Sequence, residues 1–176
     1  SVATRLKSLK SDLTISIIEP SEKSLYQAAW TLVGAGAYDV NSTIKPMSSV
    51  MPSFVNWIKE YAESFAPESN SVKTSSGEYS YDYLVVCPGL KLNFDGVAGL
   101  KESLGKNNVC TNYSADMAVY TWECLKNLSG GSLLFTEPPM PIKCAGAPQK
   151  IAYLAADYLK TKGALKDSNL EFLCAK

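Results

Sequence analysis

Residues 132–174, SLLFTEPPMPIKCAGAPQKIAYLAADYLKTKGALKDSNLEFLC, decide the fold. The first five are mostly apolar and typical of a strand, which predicts β-structure over 132–136. A helical pattern then begins near Pro148, which suits a first helical turn, and ends at Gly163. The segment 170–174 predicts a second strand. Strand, helix and strand in this order predict a βαβ unit, and therefore an α/β fold with a mainly parallel sheet.

The loop between the first of these strands and the helix carries a thiol. Cys144 lies just upstream of the predicted helix, where the partial positive charge of a helix N-terminus favours a thiolate. Lys143 and Lys150 add to that positive charge. The alternative is a small residue in a tight turn, but the prolines and the Ala-Gly-Ala spacing favour a functional cysteine. A dinucleotide-binding fold places its glycine-rich phosphate loop here, and this loop has none.

Upstream of this unit the chain predicts one clear helix and several short strands. The helix is predicted over 114–128, with Ser114 as its cap and an apolar stripe along one face. A buried strand is predicted over 83–87. Four alternating segments predict a small antiparallel meander: 54–58, 61–65, 71–74 and 79–81. Cys110 lies close upstream of the helix, where a functional thiol and an ordinary small residue fit equally well.

The N-terminal part predicts the second half of another βαβ unit. An amphipathic helix over 1–10 precedes a β-branched strand over 13–18, and Glu19 follows at the strand tip. In nucleotide-binding units an acid at this tip hydrogen-bonds the ribose hydroxyls. From its position alone, Glu19 is expected to be a solvated acid at the end of a strand. The glycine-rich turn that would precede the helix in a nucleotide-binding unit is not in this chain, which weakens the indication of nucleotide binding. Tyr26 and Trp30 follow in a loop, where they face a flat cofactor or, by default, pack internally.

Composition and charge exclude several classes of function. The 176 residues suffice for one ordinary domain, and 46% hydrophobic with 19% charged residues is a globular composition. The 17 basic and 17 acidic residues balance, which gives no electrostatic footprint for nucleic acid. Histidine is absent, which excludes His-based metal sites and Ser-His-Asp triads within the chain. The available chemistry therefore belongs to carboxylates, lysines, tyrosines and five cysteines.

Three stretches resemble a known family, the mitochondrial type of sulfide:quinone oxidoreductase. They are IIEPSEKSLYQAAWTLVGAGA (17–37), YDYLVVCPGLKLNFDGVAGL (81–100) and PMPIKCAGAPQKIAYLAADY (139–158). The resemblance implies an α/β, Rossmann-like FAD/NAD(P)-binding fold of the glutathione-reductase type with a small antiparallel β meander, here incomplete. It implies a partial FAD-binding domain over 1–98, without its first strand and Gly-rich loop. Residues 99–176 would then begin a second Rossmann-like domain that carries the redox cysteine.

The resemblance also implies roles for individual residues. Cys144 matches one cysteine of the family's redox pair, whose partner lies outside this chain. Four positions match FAD contacts: Glu19 at the ribose, Gln27 in the following loop, Ala62 at the adenine end and Gly89 after the strand that closes the FAD domain. Cys110 aligns with a third cysteine of bacterial members.

The activity that the resemblance implies is oxidation of sulfide through the redox-active cysteine and FAD, with reduction of ubiquinone. It places the protein in the mitochondrion, associated with the inner membrane, with the remainder of the fold as a partner. We expect no metal, no nucleic acid and no turnover by this chain alone. The alternative is a degenerate, inactive fragment that serves as an accessory structural subunit of a mitochondrial membrane complex.

Overall fold

The computed structural model describes residues 1–175. Its helices within that range are α1 Val2–Leu9, α2 Trp30–Gly34, α3 Met47–Val50, α4 Leu100–Ser103, α5 Ala115–Asn127 and α6 Ala147–Lys162. Its strands there are β1 Ser16–Ile18, β2 Lys23–Leu25, β3 Ile44–Pro46, β4 Asn56–Ile58, β5 Ser64–Ala66, β6 Ser71–Lys73, β7 Glu78–Ser80, β8 Gly131–Glu137 and β9 Ser168–Cys174. None of the described helices combines the length and apolar character needed to cross a bilayer.

The chain forms two compact units. The first unit is Ser1–Ser24 with Lys45–Gly89, and the second unit is Leu25–Ile44 with Leu90–Lys176. Each unit has its own paired strands and its own buried residues, and each is described by itself below.

A parallel strand pair lies in the first unit. β1 pairs in parallel with β4, with Ser16 opposite Asn56 and Ile18 opposite Ile58. The strand predicted over 13–18 is therefore confirmed in its second half. The assignment of 54–58 to the antiparallel meander is wrong, because an alternating segment indicates β-structure without specifying the partner or its direction. Parallel pairing brings the carboxyl ends of β1 and β4 to one edge of the sheet.

The meander itself is three-stranded. β6 pairs antiparallel with β5 on one side and with β7 on the other. Val72 at its centre is buried. This confirms the small antiparallel meander predicted from the sequence, although it contains one segment fewer than predicted.

The prediction of a buried strand over 83–87 is wrong. Within residues 1–175 this segment pairs with no strand, and its side chains are exposed, Tyr83 to 91%. A run of β-prone residues forms a strand only where a neighbour offers its backbone N–H and C=O groups. The described residues provide no such neighbour, so the apolar composition alone overestimated burial.

The second unit contains the predicted βαβ unit. β8 and β9 pair in parallel from Gly131 opposite Ser168 to Glu137 opposite Cys174, and α6 connects them. Gly163 ends α6 with a left-handed φ of 78°, a conformation that glycine adopts without steric cost. The strand–helix–strand prediction is confirmed, with each strand slightly longer than expected.

The core of the second unit lies against α5 and α6. Ser114 caps α5 by accepting a hydrogen bond from the Met117 N–H at 3.4 Å, as predicted. The central cluster of buried residues is Leu125, Ala155, Leu159 and Ala164. A second cluster contains Trp30, which is 5% exposed and donates through Nε1 to the Thr43 hydroxyl at 3.1 Å. Of the two alternatives for Trp30, internal packing is therefore the one observed.

Candidate functional site

Cys144 lies on the loop between β8 and α6 and is exposed to solvent. Its φ is +56°, the left-handed region that few residues other than glycine adopt. Its carbonyl accepts a hydrogen bond from the Ala147 N–H at 2.8 Å, which ties the residue to the first turn of α6. The predicted placement of Cys144 just upstream of a helix N-terminus is thus confirmed. A small anion can reach the sulfur in this position.

A ring of hydrogen bonds precedes Cys144 in the second unit. The Tyr113 hydroxyl donates to the Lys143 carbonyl at 2.9 Å. The Lys143 Nζ donates to Gln27 Oε1, and the Gln27 Nε2 donates to the Tyr113 carbonyl at 3.5 Å. Gln27, for which the family resemblance implies a FAD contact, therefore uses both ends of its amide within the protein. The ring links three segments far apart in sequence at the residue before the thiol.

The electrostatics of this ring centre on Tyr113. Burial raises the pKa of Tyr113, and the negative charges of the Cys144 thiolate and of Glu137 raise it further. The phenol therefore keeps its proton at neutral pH and remains a hydrogen-bond donor. Glu137 ends β8, and its Oε2 is buried without a hydrogen-bond partner among the described residues.

Glu19 occupies the predicted place at the tip of β1. Its N–H donates to the Ile58 carbonyl at 3.0 Å, which extends the β1–β4 pairing by one residue. Its Oε1 accepts from the Ser21 N–H at 2.7 Å, and its carbonyl accepts from Trp57 Nε1 at 2.8 Å. The carboxylate is thus held at the carboxyl end of a parallel strand pair, and a carboxylate oxygen there fits a ribose hydroxyl pair.

The other two predicted cofactor contacts lie on loops of the first unit. Ala62 is exposed, four residues after the end of β4. Gly89 is exposed with a φ of +76°, and open space surrounds the position of a Cβ. It follows an irregular segment rather than the predicted strand. The structure records no hydrogen bond between Glu19 and either residue among the described ones.

Cys110 belongs to a different cluster of the second unit. Burial raises the pKa of the Cys110 thiol, a hydrogen bond with Thr121 opposes that shift, and Cys124 adds to it. Cys110 is half-buried and precedes α5. A raised pKa keeps this thiol protonated at neutral pH.

Two residues of these sites were missed by sequence reasoning. Tyr113 contacts the Cys144 loop across 30 residues of sequence, and Trp57 contacts Glu19 across 38. No local pattern signals such a contact. Both residues belong to a large set of aromatics for which core packing was the default expectation.

Comparison with known proteins gives relatives along nearly the whole chain, although no family model matches it. The chain is 40% identical to the mitochondrial sulfide:quinone oxidoreductase of Mus musculus over 97% of its length. It is 45% identical to that of Dictyostelium discoideum over 98% of its length. The chain spans 38% and 39%, respectively, of these relatives.

Solved structures also include a similar sulfide:quinone oxidoreductase. The sulfide:quinone oxidoreductase of Aquifex aeolicus matches 98% of this chain with a TM-score of 0.78 and 28% identity, over 39% of its own length. A NAD-dependent persulfide reductase from A. fulgidus matches 97% of the chain at a TM-score of 0.54 and 16% identity, over 37% of its own length. At that identity the match is evidence for the fold alone.

A chain in the Tetrahymena thermophila mitochondrial ATP synthase structure is also similar. It matches 96% of this chain at a TM-score of 0.72 and 16% identity, over 43% of its own length. This too is evidence for the fold alone, and it does not support the accessory-subunit alternative. The predicted Rossmann-like α/β fold and the predicted resemblance are both confirmed. The chain is a relative of the mitochondrial sulfide:quinone oxidoreductases and corresponds to part of their length.

Proposed function

We propose that this chain, as a relative of the mitochondrial sulfide:quinone oxidoreductases, forms part of a flavoprotein that oxidises sulfide and reduces ubiquinone. The observation that carries the proposal is the exposed Cys144, held in a left-handed conformation at the entry to α6. Non-glycine residues in that conformation concentrate at functional sites, where the surrounding structure offsets the strain. We place the protein in the mitochondrion, associated with the inner membrane.

In this proposal Cys144 is the residue that takes up sulfur. Cys144 lies three residues upstream of Ala147, and the partial positive charge at the N-terminus of α6 attracts an approaching anion. Exposure lets hydrosulfide, a small anion, approach the sulfur atom. Overall, sulfide loses two electrons and becomes sulfane sulfur, and the quinone takes up two electrons and two protons. FAD, when bound, supplies the two-electron acceptor between them.

We assign Glu19, Gln27, Ala62 and Gly89 to FAD binding. For Gln27 the support is the family resemblance alone, because both ends of its side-chain amide are hydrogen-bonded to Lys143 and Tyr113. The support for Glu19 is its place at the carboxyl end of the β1–β4 pair, where its carboxylate can hydrogen-bond the ribose. Gly89 supports a close approach of backbone to ligand, because no side chain projects from it. We assign residues 1–98 to a partial FAD-binding domain and 99–176 to the start of a second Rossmann-like domain. Cys110 has a secondary role at most.

The proposal is tested by following sulfur on Cys144 in the purified protein that contains this chain. After exposure to sulfide, with FAD bound and quinone present to take up the two electrons released, the peptide that carries Cys144 should gain the mass of one sulfur atom. Cys124→Ser should retain that mass gain, because Cys124 lies half-buried on α5. Cys144→Ser should abolish both the mass gain and sulfide-dependent quinone reduction. Full activity in Cys144→Ser would refute the assignment.

A further inference from the structure

We propose that Tyr113 is a positioning residue for Cys144. Its hydroxyl holds the peptide group that immediately precedes the thiol. This inference rests on the proposed function, in which Cys144 is the residue that takes up sulfur. It concerns the orientation of the Cys144 sulfur atom and leaves the identity of the reacting residue unchanged.

The hydroxyl of Tyr113 reaches the backbone of the Cys144 loop directly. It donates to the Lys143 carbonyl at 2.9 Å, a good geometry for an O–H···O bond. That carbonyl belongs to the peptide whose nitrogen is the nitrogen of Cys144. A hydrogen bond there restrains rotation of this peptide, and with it the φ of Cys144.

The peptide on the other side of Cys144 is also held. The Cys144 carbonyl accepts from the Ala147 N–H at 2.8 Å, which fixes the second peptide to the start of α6. With both flanking peptides fixed, the direction of the Cα–Cβ bond is fixed, and only χ1 remains to orient the sulfur. A φ of +56° is unfavourable for an L-residue, so the loop needs such restraints to stay in this conformation.

Tyr113 is itself held in place. The Gln27 Nε2 donates to its carbonyl at 3.5 Å, and the Gln27 Oε1 accepts from the Lys143 Nζ. The ring of contacts therefore closes on both the backbone and the side chain of the residue before the thiol. The raised pKa of Tyr113 keeps its hydroxyl protonated across the pH range in which a cysteine thiol ionises. The restraint is then present with either protonation state of Cys144.

The test compares Tyr113→Phe with Tyr120→Phe in the purified protein that contains this chain. Phe keeps each ring and removes only the hydroxyl. Tyr120 is a matched control, because its hydroxyl accepts a hydrogen bond from the Asn108 N–H at 3.2 Å and interacts with Cys124 rather than with the Cys144 loop. The two variants should therefore lose similar thermal stability while differing at the thiol.

The first readout needs neither flavin nor quinone. Inorganic polysulfide transfers a sulfane sulfur to a thiolate: the Cys144 sulfur attacks, an S–S bond forms, and a polysulfide one sulfur shorter leaves. Mass spectrometry of the Cys144 peptide follows the rate. We expect Tyr113→Phe to slow it about threefold to tenfold, as loss of one hydrogen bond predicts. Tyr120→Phe should stay within about twofold of wild type, the scatter expected without a lost contact.

The second readout is the sulfide dependence of turnover. A positioning role predicts a lower kcat with an unchanged KM for sulfide, by a similar factor at each pH where the protein is active. Wild-type rates in Tyr113→Phe by both readouts, or equal slowing by Tyr120→Phe, would overturn the inference. Full sulfide oxidation by Cys144→Ser would instead overturn the proposed function, so the two failures are distinguishable.

Discussion

The packing of Gly36 against Trp122 predicts a large loss of stability from a single methyl group. Gly36 has a φ of +73°, and a Cβ built there would lie 2.6 Å from the Cε2 and Cζ2 atoms of the Trp122 ring. Carbon atoms pack best at about 3.5–4.0 Å, so the overlap is close to 1 Å. Trp122 has little freedom to move away, because it packs edge-on against Tyr158 with ring centroids 4.9 Å apart.

Gly36→Ala should therefore combine two costs. The left-handed backbone conformation is unfavourable for alanine, whereas replacing glycine also reduces the entropy of the unfolded chain and so favours folding. The net cost of these two effects is about 1 kcal/mol. Overpacking against the indole adds about 1–3 kcal/mol. We expect a total loss of about 2–4 kcal/mol in the free energy of unfolding, measured by urea denaturation followed by circular dichroism.

A matched variant separates the two costs. Gly163 also lies in the second unit, has a φ of +78° and has nothing within 4 Å of its Cβ position. Gly163→Ala should lose only the backbone cost of about 1 kcal/mol. Equal losses in the two variants would refute the packing of Trp122 over Gly36.

Four further predictions concern the second unit. Leu159→Ala should lower the free energy of unfolding by about 2–5 kcal/mol in urea melts, because the side chain is 0% exposed; a loss well below 1 kcal/mol would contradict this burial. Ser114→Ala should cost about 1 kcal/mol by removing the cap on the Met117 N–H, whereas Ser114→Asp should retain stability. Alkylation of Cys110 should reach half its maximal rate at a higher pH than that of a free cysteine, because burial raises its pKa; peptide mass spectrometry checks this, and a midpoint at or below the free value would be inconsistent with the site. Thr121→Val should raise that midpoint further, since it removes the hydrogen bond that lowers the pKa.

The βαβ unit and helix α5 were predictable because their signals are local. The β8–α6–β9 unit has a proline at the helix start and a left-handed glycine at its end, and each cue acts within a few residues. The Ser114 cap on α5 is equally local. The exposure of 83–87 was not predictable, since apolar composition indicates β-structure without indicating whether a partner strand is present.

The reacting residue of the candidate site was predictable from the sequence, but the contacts that hold it in place were not. Cys144 stands out because it precedes a helix start in a loop stiffened by prolines. Its left-handed φ and the restraint by Tyr113 depend on contacts between distant segments, which no periodicity records. The same holds for the bond from Trp57 to the Glu19 carbonyl.

The most direct test of the central claim is the visible flavin absorbance of the purified protein that contains this chain, recorded during mixing with sulfide without quinone. The account predicts a flavin spectrum that bleaches on sulfide addition in the wild type and in Cys124→Ser. In Cys144→Ser the flavin should remain bound but bleach much more slowly, because sulfide then lacks the thiolate that takes up its sulfur. Absence of a flavin spectrum, or equal bleaching in Cys144→Ser, would contradict the account.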